Sequence, residues 1–294
     1  MNARERGFLL LTSHLGDPAR KVLTTAQLRN LAQRLESADV PVEDRELSET
    51  DLTALGYSRE AAEHIVFLLS QTALLDCYFA RGKAALCTPI TRVSEGYPRI
   101  LRQRLGLDSP GCLWARGDLE ILNTPAISLV GCRDLAEPNR EFAEQVGYQA
   151  AVQGLTLVSG NARGADRAAQ DACLRAGGRV ISIVADRLDH YPRRNLLYLS
   201  EEDFDEPFSA QRALSRNRCI HALGRMVFVA QSELEKGGTW SGTVKNLRFG
   251  WSPVACFRDG SEASAMLEQM GAYGIGLADL EDFGDLQIPD NLLW

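Results

Sequence analysis

The first 86 residues carry apolar positions at helical spacing and lack the alternation that is typical of strands. Thr24, Ser48 and Ser58 each precede such a segment, and serine or threonine at this position caps the first turn of a helix. The last two segments, joined at Gly56, lack the glycine pattern of a DNA-binding helical hairpin. We therefore predict a small helical packing domain over residues 1–87.

From Pro125 onward the pattern changes to short, continuous apolar runs that alternate with amphipathic segments. The runs predict strands at residues 126–131, 155–160, 180–185, 225–230 and 253–257. Two of the intervening segments predict helices at 138–153 and 165–176. Strands that are apolar throughout are typical of a parallel sheet covered on both faces. The predicted fold class is α/β, with a Rossmann-like doubly wound, mostly parallel sheet over residues 125–260.

Two further stretches complete the predicted organisation. Residues 88–124 are rich in proline and glycine, and we interpret them as a connector with an extension to the sheet. Residues 261–294 contain one helix, from Glu262 to Met270, and then an acidic, turn-rich tail.

Four turns with phosphate-binding character lie next to the predicted strands, at 131–133, 159–166, 215–218 and 236–239. Open α/β sheets bind ligands at the carboxyl ends of their strands. Glycines allow close backbone approach, helix-opening N–H groups point at an anion, and Arg or Lys adds charge. We predict one joint anion site. Its candidate ligands are Gly131, Arg133, Ser159, Gly160, Arg163, Gly164, Asp166, Arg216, Asn217, Arg218, Lys236, Gly237, Gly238 and Thr239.

Two side chains in these turns have alternative interpretations. Asp166 opens a helix, so it either complements the helix dipole or orients a ligand. Trp240 either stacks on a base or packs against the sheet, and packing is the favoured interpretation.

The turns favour binding over catalysis. The first turn, GCRDLAEP, lacks the GxGxxG fingerprint of NAD-binding proteins, and no GxxxxGK[ST] motif of a P-loop occurs. No acidic pair, Ser-His-Asp order or Cys-His constellation indicates a reaction. We expect no catalytic residue, no cofactor and no enzyme activity.

Because the chain is acidic overall, attraction to an anion must come from basic residues close to the predicted site. The formal net charge is −7, so the whole chain does not attract nucleic acid. Between residues 131 and 225 every lysine or arginine position holds arginine, which favours bidentate phosphate contacts and stacking on bases. The acidic run at 201–206 is interpreted as a solvated loop.

Cysteine and histidine spacing predicts no metal site. The seven cysteines form no CxxC pair, and the four histidines lack ligand spacing. Phe8 to Leu11 is too short an apolar run for a signal peptide or a membrane span. We expect a cytoplasmic protein without a membrane partner.

An ordered set of motifs resembles the DprA/Smf DNA-processing family over roughly residues 95–275. The motifs are EGYPRIL, LWARGDLEIL, AISLVGCR, SGNARGAD, DHYPRRN, LSRNRCIHAL and GGTWSG. The resemblance implies a Rossmann-like homodimer that binds single-stranded DNA, assists loading of the RecA recombinase in natural transformation and recombination, and is not an enzyme. It implies a DNA pocket built from the turns named above.

This chain departs from the family pattern at three points. Gln170 stands where family members usually have histidine, KGGTW replaces an SGS-type turn, and we expect no winged-helix module after the Rossmann-like domain. The alternative function is a nucleotide-binding sensor or nucleotide-processing protein, and an assembly protein without a ligand is a third. Nucleoside monophosphate hydrolases share the GGT turn, but Lys236 replaces their usual proline and no glutamate follows nearby.

Overall fold

A nine-stranded sheet organises the protein. The computed structural model describes residues 1–38, 46–191, 196–284 and 286. The strands are β1 (Thr88–Thr91), β2 (Cys112–Arg116), β3 (Ala126–Val130), β4 (Thr156–Ser159), β5 (Arg179–Ile183), β6 (Leu196–Ser200), β7 (Val227–Val229), β8 (Val254–Phe257) and β9 (Tyr273–Ile275). Their order is β1-β2-β6-β5-β4-β3-β7-β8-β9.

The sheet is mostly parallel. Strand β2 pairs antiparallel with both β1 and β6. In the rest of the sheet, β6-β5-β4-β3-β7-β8-β9, each strand is parallel to the next. The chain starts its parallel part at β3 in the middle and extends it in both directions, with β4, β5 and β6 on one side and β7, β8 and β9 on the other. This topology confirms the predicted α/β, doubly wound fold class.

Twelve α-helices occur in the described part of the chain. They are α1 (Ala3–Thr12), α2 (Thr25–Ser37), α3 (Glu49–Ala54), α4 (Arg59–Ser70), α5 (Thr72–Ala84), α6 (Arg99–Leu105), α7 (Glu137–Val152), α8 (Ala165–Arg175), α9 (Ala210–Ser215), α10 (Asn217–Leu223), α11 (Gly237–Phe249) and α12 (Glu262–Gln269). Thr24, Ser48 and Ser58 cap α2, α3 and α4 as their sequence positions predict. The domain boundaries at 87, 124 and 260 stay predictions.

The sheet is buried on both faces. Phe142 and Val146 of α7 pack with Leu129 and Phe228 on one face. On the other face, helices α6 and α10 and strands β3 and β4 contribute to a second cluster, which includes Leu101, Val130, Val158 and Ile220. Because α7 and α8 cover one face and α10 the other, every residue of β3 and β4 is buried, and most of these residues are apolar.

The acidic segment 201–206 holds the N-terminal helices against the sheet and is not a solvated loop. Ser13 Oγ donates to Asp203 Oδ1 at 2.8 Å, and Tyr78 OH donates to Asp205 Oδ1 at 2.7 Å. Arg81 forms an ion pair with Asp205. The prediction failed because one-dimensional charge does not show which carboxylates have partners far away in sequence.

Among the described residues, no helix combines the length and the apolar character that crossing a bilayer requires.

Candidate phosphate-binding site

Two glycine turns interlock at the carboxyl ends of β3 and β4, which are neighbours in the sheet. A Cβ on Gly131 would overlap the side chain of Ala165, the first residue of α8. Gly164 has φ +87°, and a Cβ there would overlap the carbonyl groups of Cys132 and Arg133. The two turns approach this closely only because both positions are glycine. The N-terminus of α8 therefore lies directly against the end of β3.

Asp166 organises the turn after β4. Its Oδ2 accepts hydrogen bonds from the backbone N–H groups of Gly160 and Ala162, both at 3.1 Å. Burial raises the pKa of Asp166, and the attraction of Arg216 opposes that rise. The carboxylate holds two amides of the turn, so its observed contacts are with the protein backbone.

Arg216 lies across the turn at Gly160. A Cβ on Gly160 would overlap its guanidinium, so this glycine makes room for the arginine. The residue is 7% exposed, and its Nε and Nη1 have no hydrogen-bond partner in the described part of the chain. Burial lowers the pKa of Arg216, while nearby Asp166 and Glu201 favour its charged form. A buried guanidinium with unused donors is costly unless an anion accepts from it.

Gln170 lies beneath the same turn. The residue is buried, and its Nε2 donates to Ser159 Oγ. Ser159 is itself fully buried at the end of β4. Gln170, the position where the resemblance implies histidine, therefore makes an internal hydrogen bond and supports the base of the turn.

The third and fourth turns meet at the start of α10 and α11. Asn217 Nδ2 donates to the carbonyl of Gly238 at 3.2 Å. Gly237, with φ +75°, and Lys236 are exposed, and Thr239 is half-buried. Trp240 packs against the cluster on the α6 and α10 face, in line with the favoured interpretation.

The remaining predicted ligands lie in two environments. Arg133 and Arg163 are exposed at the rim, where Arg163 forms an ion pair with Asp134 at 2.8 Å. Arg218 instead forms a 2.6 Å ion pair with Glu201 and donates to the Asp108 carbonyl. Its donors are therefore used largely by the protein, and its role toward phosphate stays a prediction.

Tyr191 is a neighbour of the site that the sequence did not single out. Its ring stacks on Tyr198 with centroids 4.5 Å apart. Burial raises its pKa, and Arg216 and Arg167 are close enough to oppose that shift. The sequence contained a pointer to Tyr191, because this residue belongs to the DHYPRRN motif of the family resemblance. Residues 192–195 of that motif lie outside the described residues.

Comparison with known sequences identifies a family. The family described as DNA recombination-mediator protein A matches residues 88–275. DNA processing protein DprA of Streptococcus pneumoniae is 33% identical over 141 residues, 44% of this chain and 50% of that protein. DprA of Bacillus subtilis is 29% identical over 202 residues, 63% of this chain and 67% of that protein. Protein Smf of Escherichia coli is 30% identical over 156 residues, 49% of this chain and 41% of that protein. The chain thus spans about half the length of the pneumococcal relative.

Comparison with solved structures shows the same fold. The X-ray structure of DprA from Streptococcus pneumoniae has a TM-score of 0.73 at 22% identity, covering 98% of this chain and all of that one. A structure of DprA from Helicobacter pylori, described as revealing its single-stranded DNA binding mode, has a TM-score of 0.56 at 24% identity. It covers 67% of this chain and 93% of that one.

The family match spans more than half of the chain and includes all four turns of the candidate site. The chain therefore belongs to the DprA/Smf family of DNA recombination-mediator proteins.

Proposed function

We propose that this protein binds single-stranded DNA, with one phosphate held by Arg216 above the Gly160 turn. The observation that carries the proposal is the buried guanidinium of Arg216, whose Nε and Nη1 have no partner in the described residues. A phosphate would accept from these donors and would offset the cost of burying the charge. Because residue 160 is glycine, the guanidinium can lie against this turn.

A strand fits the surroundings of Arg216 better than a single nucleotide does. Arg133, Arg163 and Arg167 are exposed on the α8 side of the turn, so basic groups continue beyond the buried arginine. A mononucleotide would use one phosphate position, whereas successive phosphates of a strand would use several. The net charge of −7 makes this local arrangement the source of attraction.

The wider role is proposed from family membership. We propose that the protein acts in the cytoplasm as a homodimeric binding protein, not as an enzyme. Its role would be to assist loading of a RecA-type recombinase on incoming single strands during DNA uptake and recombination. The family description as a recombination mediator supports this role, and so does the single-strand binding reported for the Helicobacter pylori relative.

The test exchanges the buried Arg216 and the half-buried Arg104 for methionine, which keeps the aliphatic stem. Arg216→Met removes donors that have no partner among the described residues, so we expect at least a tenfold loss of affinity for a labelled oligothymidylate by fluorescence anisotropy, measured well below the melting temperature of the variant. Arg104 donates to the Ala222 and Gly224 carbonyls at the end of α10. Arg104→Met should therefore lower the melting temperature and leave DNA affinity unchanged.

The two variants separate a ligand-binding arginine from a structural one. If Arg216→Met binds DNA like the unmodified protein, Arg216 does not hold a phosphate. If the unmodified protein shows no salt-dependent binding at micromolar concentration, the proposed function itself is wrong.

A further inference from the structure

A basic cleft leads away from the proposed DNA site between α7 and α8. Its volume is about 450 Å³, and five of its lining residues are arginines, against three acids. The arginines are Arg133, Arg140, Arg163, Arg167 and Arg175. We infer that this cleft carries the sugar–phosphate backbone of the strand onward from Arg216. The inference rests on the proposed function and adds the path of the strand.

The basic groups of α8 lie on one face of the helix. Arg167, Asp171 and Arg175 follow one another on α8 at intervals of four residues, and Arg163 lies in the turn before the helix; all four line the cleft. Side chains four residues apart are neighbours on a helix surface. From Arg167 to Arg175 the helical rise is about 12 Å. At about 3.4 Å per stacked nucleotide, this part of the cleft has room for about three stacked nucleotides, or for fewer in an extended strand.

Several of these arginines are free to bind an external anion. Arg167 and Arg175 are exposed, and neither they nor Arg133 form an ion pair with any described residue. Arg163 has Asp134 as its partner, but both side chains are largely exposed, and such pairs are weak. A phosphate can therefore compete for Arg163 at little cost.

The cleft is continuous with the proposed phosphate site. Arg163 and Gly164 belong to the turn whose amides Asp166 holds, and they also line the cleft. Arg133 is close enough to Asp166 to act on its carboxylate, and Arg167 acts on Tyr191 beside Arg216. A strand that leaves Arg216 on this side meets Arg163 and Arg167 before it reaches Arg175.

Close packing of α7 against α8 closes the base of the cleft. A Cβ on Gly147 of α7 would overlap the backbone of Ala169 in α8, so the two helices touch there. The half-buried Leu135 and the buried Ala168 complete the apolar part of the lining. Arginines above an apolar floor suit a strand, because the guanidinium groups contact phosphates while sugars and bases lie on carbon surface.

The test compares two doubly substituted variants with the same loss of charge. The first is Arg167→Gln with Arg175→Gln. The control is Arg29→Gln with Arg248→Gln, two exposed arginines on α2 and in the last turn of α11. Binding of oligothymidylates of 4 and 20 nucleotides is measured across a salt series by fluorescence anisotropy, with melting temperatures as a check on folding.

We expect the cleft variant to lose affinity only for the long oligonucleotide. Two lost phosphate contacts on a single strand should make the slope of log K against log salt about 1.4 less steep. For two proteins that bind equally at 1 M salt, this slope change corresponds to roughly 25-fold weaker binding of the cleft variant at 0.1 M salt. The 4-mer, which occupies the Arg216 site, should bind as before, and the control should match the unmodified protein.

Other outcomes overturn the inference without touching the proposed function. If the cleft variant and the control have equal slopes for the 20-mer while Arg216→Met abolishes binding, the strand takes another path. If the cleft variant binds the 20-mer like the control but loses binding of labelled polyglutamate measured in the same anisotropy assay, the cleft accepts an acidic protein segment instead. If both oligonucleotides weaken equally, the cleft arginines act on the Arg216 site and not on a longer strand.

Discussion

At the scale of single residues, the site depends on two buried groups of opposite charge that attract each other. Asp166 holds the turn that Arg216 lies across, and each lowers the cost of burying the other. The sequence predicted both residues as members of the site, because SGNARGAD and SRNR are unusual turns. It did not show that two donors of Arg216 have no partner among the described residues. Those of Arg218 are bonded, which depends on Glu201 and Asp108.

The raised pKa of Asp166 leads to a prediction about pH. An acid whose pKa is raised on folding contributes stability that is fully present below the unfolded value, about 3.9, and is lost as pH rises through the folded value. The side-chain amide introduced by Asp166→Asn would stay neutral, and its one carbonyl oxygen could still accept from both backbone amides. We expect the melting temperature of Asp166→Asn, minus that of the unmodified protein, to become more positive as pH rises from about 4 to about 7.

The control for this prediction is Asp118→Asn. Asp118 is an exposed carboxylate that accepts from the Glu120 amide at 2.9 Å, so it makes a similar backbone contact in water. This variant should show no comparable trend. A relative melting temperature of Asp166→Asn that falls as pH rises would contradict the expected direction.

At the scale of elements, periodicity predicted the parallel part of the fold well. The helix predicted at 138–153 is Glu137–Val152, and the one predicted at 165–176 is Ala165–Arg175. Strand β6 was not predicted, because a short 3₁₀ helix at Leu188–His190, and no α-helix, joins it to β5 in the described residues. Strand β9 was not predicted either, because its three residues, with glycine in the middle, do not form an apolar run.

Contact between α7 and α8 can be tested at one glycine. Gly147→Ala puts a methyl group into the backbone of Ala169, so we expect a loss of about 1–3 kcal/mol in the free energy of unfolding by urea denaturation. At Gly7, in the middle of α1, an added methyl group would meet only Leu69, at an ordinary contact distance of 3.9 Å. Gly7→Ala should therefore stabilise the protein by about 0.5–1 kcal/mol. Equal effects of the two changes would mean that α7 and α8 do not touch as described.

At the scale of the whole molecule, long-range contacts join the N-terminal helices to the sheet. Trp114 of β2 packs against Tyr78 of α5 and Phe204, with ring centroids 5.5 and 4.9 Å apart. The acidic run after β6 supplies the polar part of the same contact through Asp203 and Asp205. The hydrogen-bonded partners are separated by more than 100 residues, so local patterns could not predict them.

Removing one hydroxyl tests this long-range contact. Tyr78→Phe deletes the partly buried hydrogen bond to Asp205, and a bond to a charged group contributes about 1.5–3 kcal/mol to stability. We expect a decrease of that size in the free energy of unfolding. Tyr57→Phe, which removes an exposed bond to Asn30, should change it by less than about 0.5 kcal/mol. Similar small effects for both would show that the Tyr78 bond is not desolvated.

The sequence by itself determined the α/β class, the five central strands and the four turns, because strand burial, helix periodicity and turn glycines are all local properties of a chain. Only the tertiary structure decided the order of nine strands and the role of the acidic run. It also decided which arginine lies buried without a partner among the described residues and where a basic cleft begins. Those features arise when residues far apart in sequence exclude water from one another, and charge along the chain does not show which groups will meet.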